Sequence, residues 1–184
     1  MSQPKALNLP NSLTIFRILL VPLLVVILLT KFENKEIVGL VVFLVAALTD
    51  FLDGYIARTR GLVTQLGKLL DPAADKILTS ATFISLVEIG SAPAWIVVAI
   101  VAREFAVSTL RTVSAADQVV IPASWSGKAK TTLQVVAISL LIIRSHLGSL
   151  DFLADLALYA ALIVSVYSGL EYGARYGRKL MDLQ

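Results

Sequence analysis

The sequence predicts an all-α integral membrane protein with six transmembrane helices and a polar site that faces the cytoplasm. Of its 184 residues, 57% are hydrophobic, and the mean hydropathy is +0.82, as is typical of membrane proteins. Six apolar runs follow one another along the chain, and charged residues gather at alternate ends of successive runs. At this length we expect a single membrane domain, residues 1–184.

The apolar runs are each shorter than the roughly 20 residues of a simple transmembrane helix. If successive helices alternate in direction, however, all the interrupting charges fall on one side of the membrane. Long helices whose charged ends extend past or into one leaflet explain this pattern better than six short helices of a soluble protein. The runs are Ile18–Thr30, Ile37–Thr49, Ile77–Val87, Ile89–Ala102, Thr131–Ile143 and Leu156–Leu170.

The cations orient the predicted helices. Of the 16 Lys and Arg residues, all but Lys31, Lys35 and Arg144 fall on the same side of the membrane as the N-terminus. Because cytoplasmic segments are enriched in Lys and Arg, we expect a multi-pass protein of the cell's inner (cytoplasmic) membrane with both termini in the cytoplasm. The net charge of +3 suits anionic lipid head groups, and no basic patch interleaved with aromatic residues predicts nucleic-acid binding. The chain has no cysteine, which excludes disulfides and thiol chemistry.

Four aspartates lie close together in this apolar chain: Asp50, Asp53, Asp71 and Asp75. A carboxylate in the middle of a membrane costs about 2.5–3.5 kcal/mol on insertion scales. The four side chains must therefore face water, cations or a metal ion. An ionisable cluster in a membrane protein indicates a functional site.

Helical spacing places Asp50 and Asp53 on one helix face with Ala57. It places Asp71 and Asp75 on a face of the next helix with Gly67. Two helices joined by a short turn pack antiparallel, so the two acidic faces are expected to meet in a pocket of oxygen atoms. Hard divalent cations, Mg²⁺ above all, prefer such ligands. Gly54, Ala57 and Gly67 keep the adjoining surface bare for a ligand. Arg58 offers a planar fork suited to phosphate.

A second polar face is expected at the start of the first helix. Asn11, Thr14 and Arg17 fall at three-residue spacing and therefore on one side of that helix. They form either a helix cap with a snorkelling arginine or the polar edge of a ligand site. The residues alone leave both interpretations open.

Four cations are expected around the later helices. Arg103 and Arg111 are eight residues apart, on roughly one helix face. Lys128 and Lys130 lie at the start of the fifth helix, where cations oppose the helix macrodipole unless an anion binds there. The four cations therefore indicate an anionic ligand, with solvated lysines at the cytoplasmic face as the alternative.

The acidic stretch resembles the signature of the CDP-alcohol phosphotransferases. It reads D-F-L-D-G-Y-I-A-R, then eight residues, then G-K-L-L-D-P-A-A-D, and every fixed position of D-x-x-D-G-x-x-A-R and G-x-x-x-D-x-x-x-D is present. Three further stretches resemble bacterial phosphatidylglycerophosphate synthases within that family: L-P-N-x-L-T-x-x-R, R-E-x-x-V-S-x-L-R and G-K-x-K-T-x-x-Q.

The resemblance implies a transferase that moves the phosphatidyl group of CDP-diacylglycerol to an alcohol and releases CMP. It implies that the four aspartates hold Mg²⁺ or Mn²⁺, two ions per site, and that Asp75 also takes the proton from the acceptor hydroxyl. It further implies a homodimer in the lipid bilayer. The CDP-binding residues would be Asn11, Thr14, Asp53, Gly54, Ala57, Arg58 and Gly67.

The acceptor is expected to be sn-glycerol 3-phosphate, so that the product is phosphatidylglycerophosphate. A neutral alcohol needs no cations, whereas Arg103, Arg111, Lys128 and Lys130 suit an acceptor phosphate. A cardiolipin, inositol-phosphate or serine transferase of the same family remains an alternative. Outside the family, the carboxylates could form the pathway of a cation transporter, which needs polar residues at both faces of the membrane.

Overall fold

The prediction of an all-α fold is confirmed throughout the part of the chain that the structure describes. This computed structural model describes residues 9–59, 64–116 and 125–181. Only the backbone is described for residues 9–10, 51, 53–58, 65–66, 68–69 and 180–181. The described backbone contains six α-helices and two short 3-10 helices, Arg144–His146 and Gly148–Leu150. The α-helices are α1 (Leu9–Leu29), α2 (Lys35–Thr59), α3 (Gln65–Glu88), α4 (Ala94–Ala116), α5 (Trp125–Ile142) and α6 (Phe152–Met181).

The helices form two compact units, Met1–Ser91 and Ala92–Gln184. In the first unit, α1 packs extensively against both α2 and α3 among the described residues. The expectation that the acidic faces of α2 and α3 meet directly stays a prediction, because much of the α2 face that carries Asp53 is described without its side chains. Leu24, Phe43 and Phe83 are almost fully buried in the apolar core of the first unit.

In the second unit, α6 packs against both α4 and α5. Ala137, Ala154 and Ala161 are fully buried, and such small residues let helix backbones approach closely. Ile100 and Leu158 are also almost fully buried. The second unit therefore has its own buried interior.

Large apolar side chains cover much of the outer surface of the helices. Leu19 on α1 and Ile163 and Leu170 on α6 are each about two-thirds exposed, which suits lipid and would be unfavourable in water. Among the described residues, the segments Asn11–Leu29 and Gly148–Lys179 are long and apolar enough to cross a membrane. These observations support the prediction of a membrane protein.

Candidate active site

The start of α1 is hydrogen-bonded to the start of α3. Thr64 caps α3, since its Oγ1 accepts a hydrogen bond of 3.0 Å from the backbone N–H of Gly67. The Asn11 side chain donates to the same oxygen, with an Nδ2–Oγ1 distance of 2.9 Å. Because Asn11 and Thr64 are both buried, this contact fixes the two helix ends against each other.

Gly67 is the residue that permits this close approach. A Cβ atom at position 67 would lie 2.8 Å from Asn11 Oδ1 and 3.2 Å from Thr64 Oγ1. The space beside Gly67, which the sequence predicted to be open for a ligand, holds these two side chains. Gly67 therefore positions Asn11, which is itself a predicted CDP-binding residue.

The polar face of α1 also binds one aspartate on each of the two acidic helices. Arg17 Nη1 donates to Asp50 Oδ1 of α2 at 2.6 Å. Thr14 Oγ1 donates to Asp71 Oδ1 of α3 at 2.6 Å. Thr14 and Arg17 are three residues apart, about 4.5 Å along the helix axis, so they hold the two carboxylates at similar depth.

Arg17 does not snorkel to the membrane surface. Its side chain is fully buried, whereas the Asp50 side chain that it binds is 43% exposed. The interpretation of Asn11, Thr14 and Arg17 as a cap with a snorkelling arginine is therefore wrong for Arg17. The α1 face is instead an inner support for the carboxylates, whose outer parts remain accessible.

Asp71 and Asp75 lie one turn apart on α3, and both are half-buried. Together with Asp50 they supply only carboxylate oxygens, which are the donors that hard divalent cations prefer. A metal ion bound there would meet no nitrogen or sulfur ligand from these residues. The donor chemistry of the described carboxylates thus fits Mg²⁺ or Mn²⁺.

The other predicted residues of this site lie where the structure describes the α2 backbone without its side chains: Asp53, Gly54, Ala57 and Arg58. The assignments of these four residues stay predictions. Among the described residues, with Asp53 outside that set, no group of three or more Asp, Glu, His or Cys residues could hold a metal ion.

A buried ionic cluster lies at the junction of the three helices of the second unit. Glu104 of α4 accepts hydrogen bonds from Arg103 Nη1 at 2.9 Å and from Lys130 Nζ of α5 at 2.6 Å. Gln134 Nε2, also on α5, lies 3.3 Å from Glu104 Oε1. Arg103 Nη2 also donates a hydrogen bond of 2.9 Å to Ser168 Oγ on α6. We call Arg103, Glu104, Lys130 and Gln134 the Glu104 cluster.

The four predicted acceptor cations divide into two pairs. Arg103 and Lys130 belong to the Glu104 cluster and are almost fully buried. Arg111 and Lys128 are exposed, and the Arg111 guanidinium lies over the Tyr172 ring of α6, 5.7 Å from its centroid. The sequence predicted one undifferentiated group of cations, whereas the structure separates a buried pair from an exposed pair.

Two partners in these sites were missed by reasoning from the sequence. Thr64 lies outside the fixed positions of the acidic motif, although a threonine three residues before Gly67 is a recognisable helix cap. In the sequence, Glu104 is only the second position of the pattern R-E-x-x-V-S-x-L-R. An isolated carboxylate in an apolar helix needs a buried partner, and that requirement was the signal that could have identified it.

The described part of the chain is an all-α protein whose outer helix surfaces suit a membrane. Comparison with known proteins identifies its family. The chain matches the CDP-alcohol phosphatidyltransferase family over residues 7–171. Because that match covers most of the chain, the protein belongs to this family.

Relatives within the family agree in their names. The chain is 43% identical to a CDP-diacylglycerol–glycerol-3-phosphate 3-phosphatidyltransferase of Bacillus subtilis (strain 168), over 90% of this chain and 93% of the relative. It is 41% identical to a protein of the same name from Rickettsia bellii, over 90% and 93%. It is 38% identical to a probable phosphatidylglycerophosphate synthase of Mycobacterium tuberculosis, over 91% and 81%.

Proposed function

We propose that this chain transfers the phosphatidyl group of CDP-diacylglycerol to sn-glycerol 3-phosphate, giving phosphatidylglycerophosphate and CMP. The observation that carries the proposal is the similarity, over nine-tenths of the chain, to relatives named for this reaction. The aspartates of the first unit and the buried cations of the second unit support it, because the reaction needs a site for a cation-bound diphosphate and a site for an acceptor phosphate.

The proposed metal ligands are Asp50, Asp53, Asp71 and Asp75, which would hold two Mg²⁺ or Mn²⁺ ions. Bound divalent ions would neutralise the diphosphate of CDP-diacylglycerol and stabilise the leaving CMP. Arg17 and Thr14 support this role, since they orient Asp50 and Asp71 from the buried side. The carboxylates are thereby held in place before any ligand arrives.

Asp75 is the proposed general base. It takes the proton of the acceptor hydroxyl as that oxygen bonds to the phosphorus of the phosphatidyl group, while the bond from this phosphorus to the CMP oxygen breaks. Asp75 lies one turn beyond Asp71 on α3 and is half-buried, so its carboxylate combines a fixed position with access to substrate.

The proposed CDP-binding residues are those of the sequence analysis. Asn11 and Gly67 are supported by their mutual contact, and Thr14 is supported by its bond to Asp71. Arg58 is proposed for the diphosphate because its planar fork pairs with phosphate oxygens. The remaining proposed residues are Asp53, Gly54 and Ala57.

The proposed ligands of the acceptor phosphate are Arg103, Arg111, Lys128 and Lys130. We propose different tasks for the exposed and the buried cations. Arg111 and Lys128 are exposed and would meet the incoming anion first. Arg103 and Lys130 are buried in the Glu104 cluster and would act on a bound phosphate from a less hydrated environment, where electrostatic attraction is stronger.

We also propose that the chain is a single domain that crosses the inner membrane six times with both termini in the cytoplasm, and that two copies form a homodimer. Because the chain has no cysteine, single cysteines can be introduced to map each helix end. Cysteines near residue 34 or 147 should react with an impermeant thiol reagent from outside the cell, and one near residue 179 only from inside. Native mass spectrometry in detergent should give the mass of two chains.

An acceptor panel tests the proposed reaction. The purified protein is incubated with CDP-diacylglycerol and, separately, glycerol 3-phosphate, glycerol, inositol phosphate, serine or phosphatidylglycerol, and CMP release is measured. We expect CMP with glycerol 3-phosphate, none in excess chelator, and recovery on adding Mg²⁺ or Mn²⁺. CMP release with another acceptor in preference, or full activity in chelator, would overturn the proposal. Cation flux in liposomes without CMP release would indicate a transporter.

A further inference from the structure

The Glu104 cluster contains a buried carboxylate that the proposed reaction does not use directly. Glu104 is 8% exposed, Lys130 is 8% exposed and Gln134 is 3% exposed. The carboxylate receives Lys130 on one oxygen, and Arg103 and Gln134 on the other. Glu104 therefore connects α4 to α5 through charge-assisted hydrogen bonds, which are the stronger kind in proteins.

The Glu104 cluster contains more cations than carboxylates. Two cations, Arg103 and Lys130, share the single carboxylate of Glu104. A net charge in a largely desolvated position is unfavourable unless an ion of opposite sign lies nearby. The excess of cations is thus a reason for an anion to bind beside the cluster.

The arrangement also fixes side chains that are otherwise highly mobile. Arg and Lys side chains each carry about 2 kcal/mol of rotamer entropy, which a ligand must otherwise overcome when it orders them. Glu104 and Ser168 already hold the Arg103 guanidinium by its two terminal nitrogens. Its buried Nε has no hydrogen-bond partner among the described residues, so this cation retains donor capacity.

We propose that Glu104 is a positioning residue for the phosphorylated acceptor. It holds Arg103 and Lys130 in one arrangement before the acceptor binds and so sets the affinity for the acceptor phosphate without touching the acceptor. This inference rests on the proposed function, because the phosphate it concerns is that of glycerol 3-phosphate.

The first test shortens the carboxylate. Glu104→Asp keeps the charge but withdraws it by one carbon–carbon bond, about 1.5 Å, so it cannot keep both the Lys130 and the Arg103 contacts. The KM for glycerol 3-phosphate should rise about tenfold or more. The KM for CDP-diacylglycerol should stay within about twofold, and kcat should change less than the acceptor KM. A merely structural role would lower the amount of folded enzyme and leave the acceptor KM unchanged, which would overturn the proposal.

The second test asks whether Glu104 acts through Lys130. Glu104→Gln is measured in the native chain and in a Lys130→Met background. We expect Glu104→Gln to raise the acceptor KM more in the native chain than in the Lys130→Met background, where only the contacts of Glu104 with Arg103 and Gln134 are lost. Effects of equal size in both backgrounds would contradict the proposal.

Asp155→Asn is the matched control. Asp155 accepts two hydrogen bonds from Arg144, so this substitution also removes an ion pair of the second unit. It lies 13 residues before Ser168 on α6, about 20 Å along the helix, and should leave both KM values unchanged.

The acceptor panel separates the two possible failures. If the native protein does not use glycerol 3-phosphate, the proposed function fails before any Glu104 variant is measured. If the native protein uses it and the Glu104 variants keep the native acceptor KM, only this inference fails.

Discussion

The two units of this protein support their proposed functional side chains with opposite charges. In the first unit, carboxylates are the proposed functional groups, and Arg17 and Thr14 on the neighbouring helix hold Asp50 and Asp71. In the second unit, cations are the proposed functional groups, and the carboxylate of Glu104 holds two of them. Arg17 is more deeply buried than Asp50, whereas Glu104 and Lys130 are equally buried.

This contrast explains how one apolar chain can offer sites to both a cation and an anion. An ionisable group in a membrane protein is costly unless it is paired, but complete pairing would leave it unable to bind a ligand. The first unit leaves Asp50 43% exposed beside a fully buried Arg17. In the second unit, two cations share the single carboxylate of the Glu104 cluster. We therefore expect each proposed site to be tolerable in the membrane and still available to a ligand.

The largest expected effect concerns the first unit. Asp75→Asn removes the proposed base while keeping nearly the same shape, so kcat should fall by about 10²- to 10⁴-fold. CDP-diacylglycerol should still bind, as measured by its stabilisation of the variant against heat. Turnover near the native rate would exclude Asp75 as the base. Asp151→Asn, an exposed carboxylate of the second unit, should leave kcat unchanged.

Arg17→Met tests the support of the carboxylates. The variant replaces a fully buried cation by an apolar side chain and deprives Asp50 of a charge-assisted hydrogen bond, which is worth about 1.5–3 kcal/mol. With Asp50 partly exposed, we expect a loss near the lower end of that range, or a fall in Tm of roughly 3–6 °C for a chain of this size. Thermal unfolding in detergent measures it.

Arg144→Met provides the comparison for Arg17. Arg144 also lies close to its partner Asp155, but the Arg144 side chain is 31% exposed and the Asp155 side chain is 41% exposed. Exposed ion pairs contribute only about 0–1 kcal/mol to stability. Its Tm should therefore change by about 2 °C or less. An equal fall in Tm for both variants would show that burial does not distinguish the two ion pairs.

The sequence predicts candidate functional groups in both units but not the residues that support them. The spacing of the aspartates and the run of cations mark these candidates, because ionisable residues stand out in an apolar chain. The helical periodicity also placed Asn11, Thr14 and Arg17 on one face. It could not show that Arg17 reaches Asp50, which is 33 positions away, because that contact depends on how α1 packs against α2.

Glu104 illustrates the same limit in the second unit. Its partner Lys130 is 26 positions away on α5, so neither residue predicts the other by local spacing. The sequence placed Lys130 at a helix start and assigned it directly to an acceptor phosphate. The packing of α4 and α5 brings the Glu104 carboxylate against Lys130. Arg103 and Lys130 thereby differ from the two exposed cations, Arg111 and Lys128.

Two glycines allow each unit to be disturbed separately. A Cβ at Gly67 would meet Asn11 Oδ1 at 2.8 Å, and a Cβ at Gly169 would meet Arg103 Cγ at 3.0 Å. We expect Gly67→Ala to raise the KM for CDP-diacylglycerol and Gly169→Ala to raise the KM for glycerol 3-phosphate. Each rise should be roughly fivefold to tenfold, since about 1 kcal/mol of misplacement corresponds to a factor of about five.

Gly173→Ala controls for both glycine variants. It lies in α6, and a Cβ there would meet no heavy atom within 4 Å, so both KM values should stay native and the Tm should hold or rise slightly, as alanine favours the helix. If Gly67→Ala and Gly169→Ala affected the same substrate, the two units would not serve different substrates and the comparison above would fail.

The smallest expected effect comes from an exposed cation of the second unit. Arg111 lies over the Tyr172 ring, a contact that limits its mobility, but its charge is screened by solvent. Arg111→Ala should therefore raise the KM for glycerol 3-phosphate only about threefold to fivefold, a free energy of about 1 kcal/mol, with less effect on CDP-diacylglycerol. The rise should shrink at high ionic strength, whereas the Glu104→Asp effect should persist because that cluster is buried. The control is Arg178→Ala, which removes an exposed cation near the end of α6 and should change neither KM. If Arg111→Ala weakened the use of both substrates equally, Arg111 would have no specific role at the acceptor phosphate.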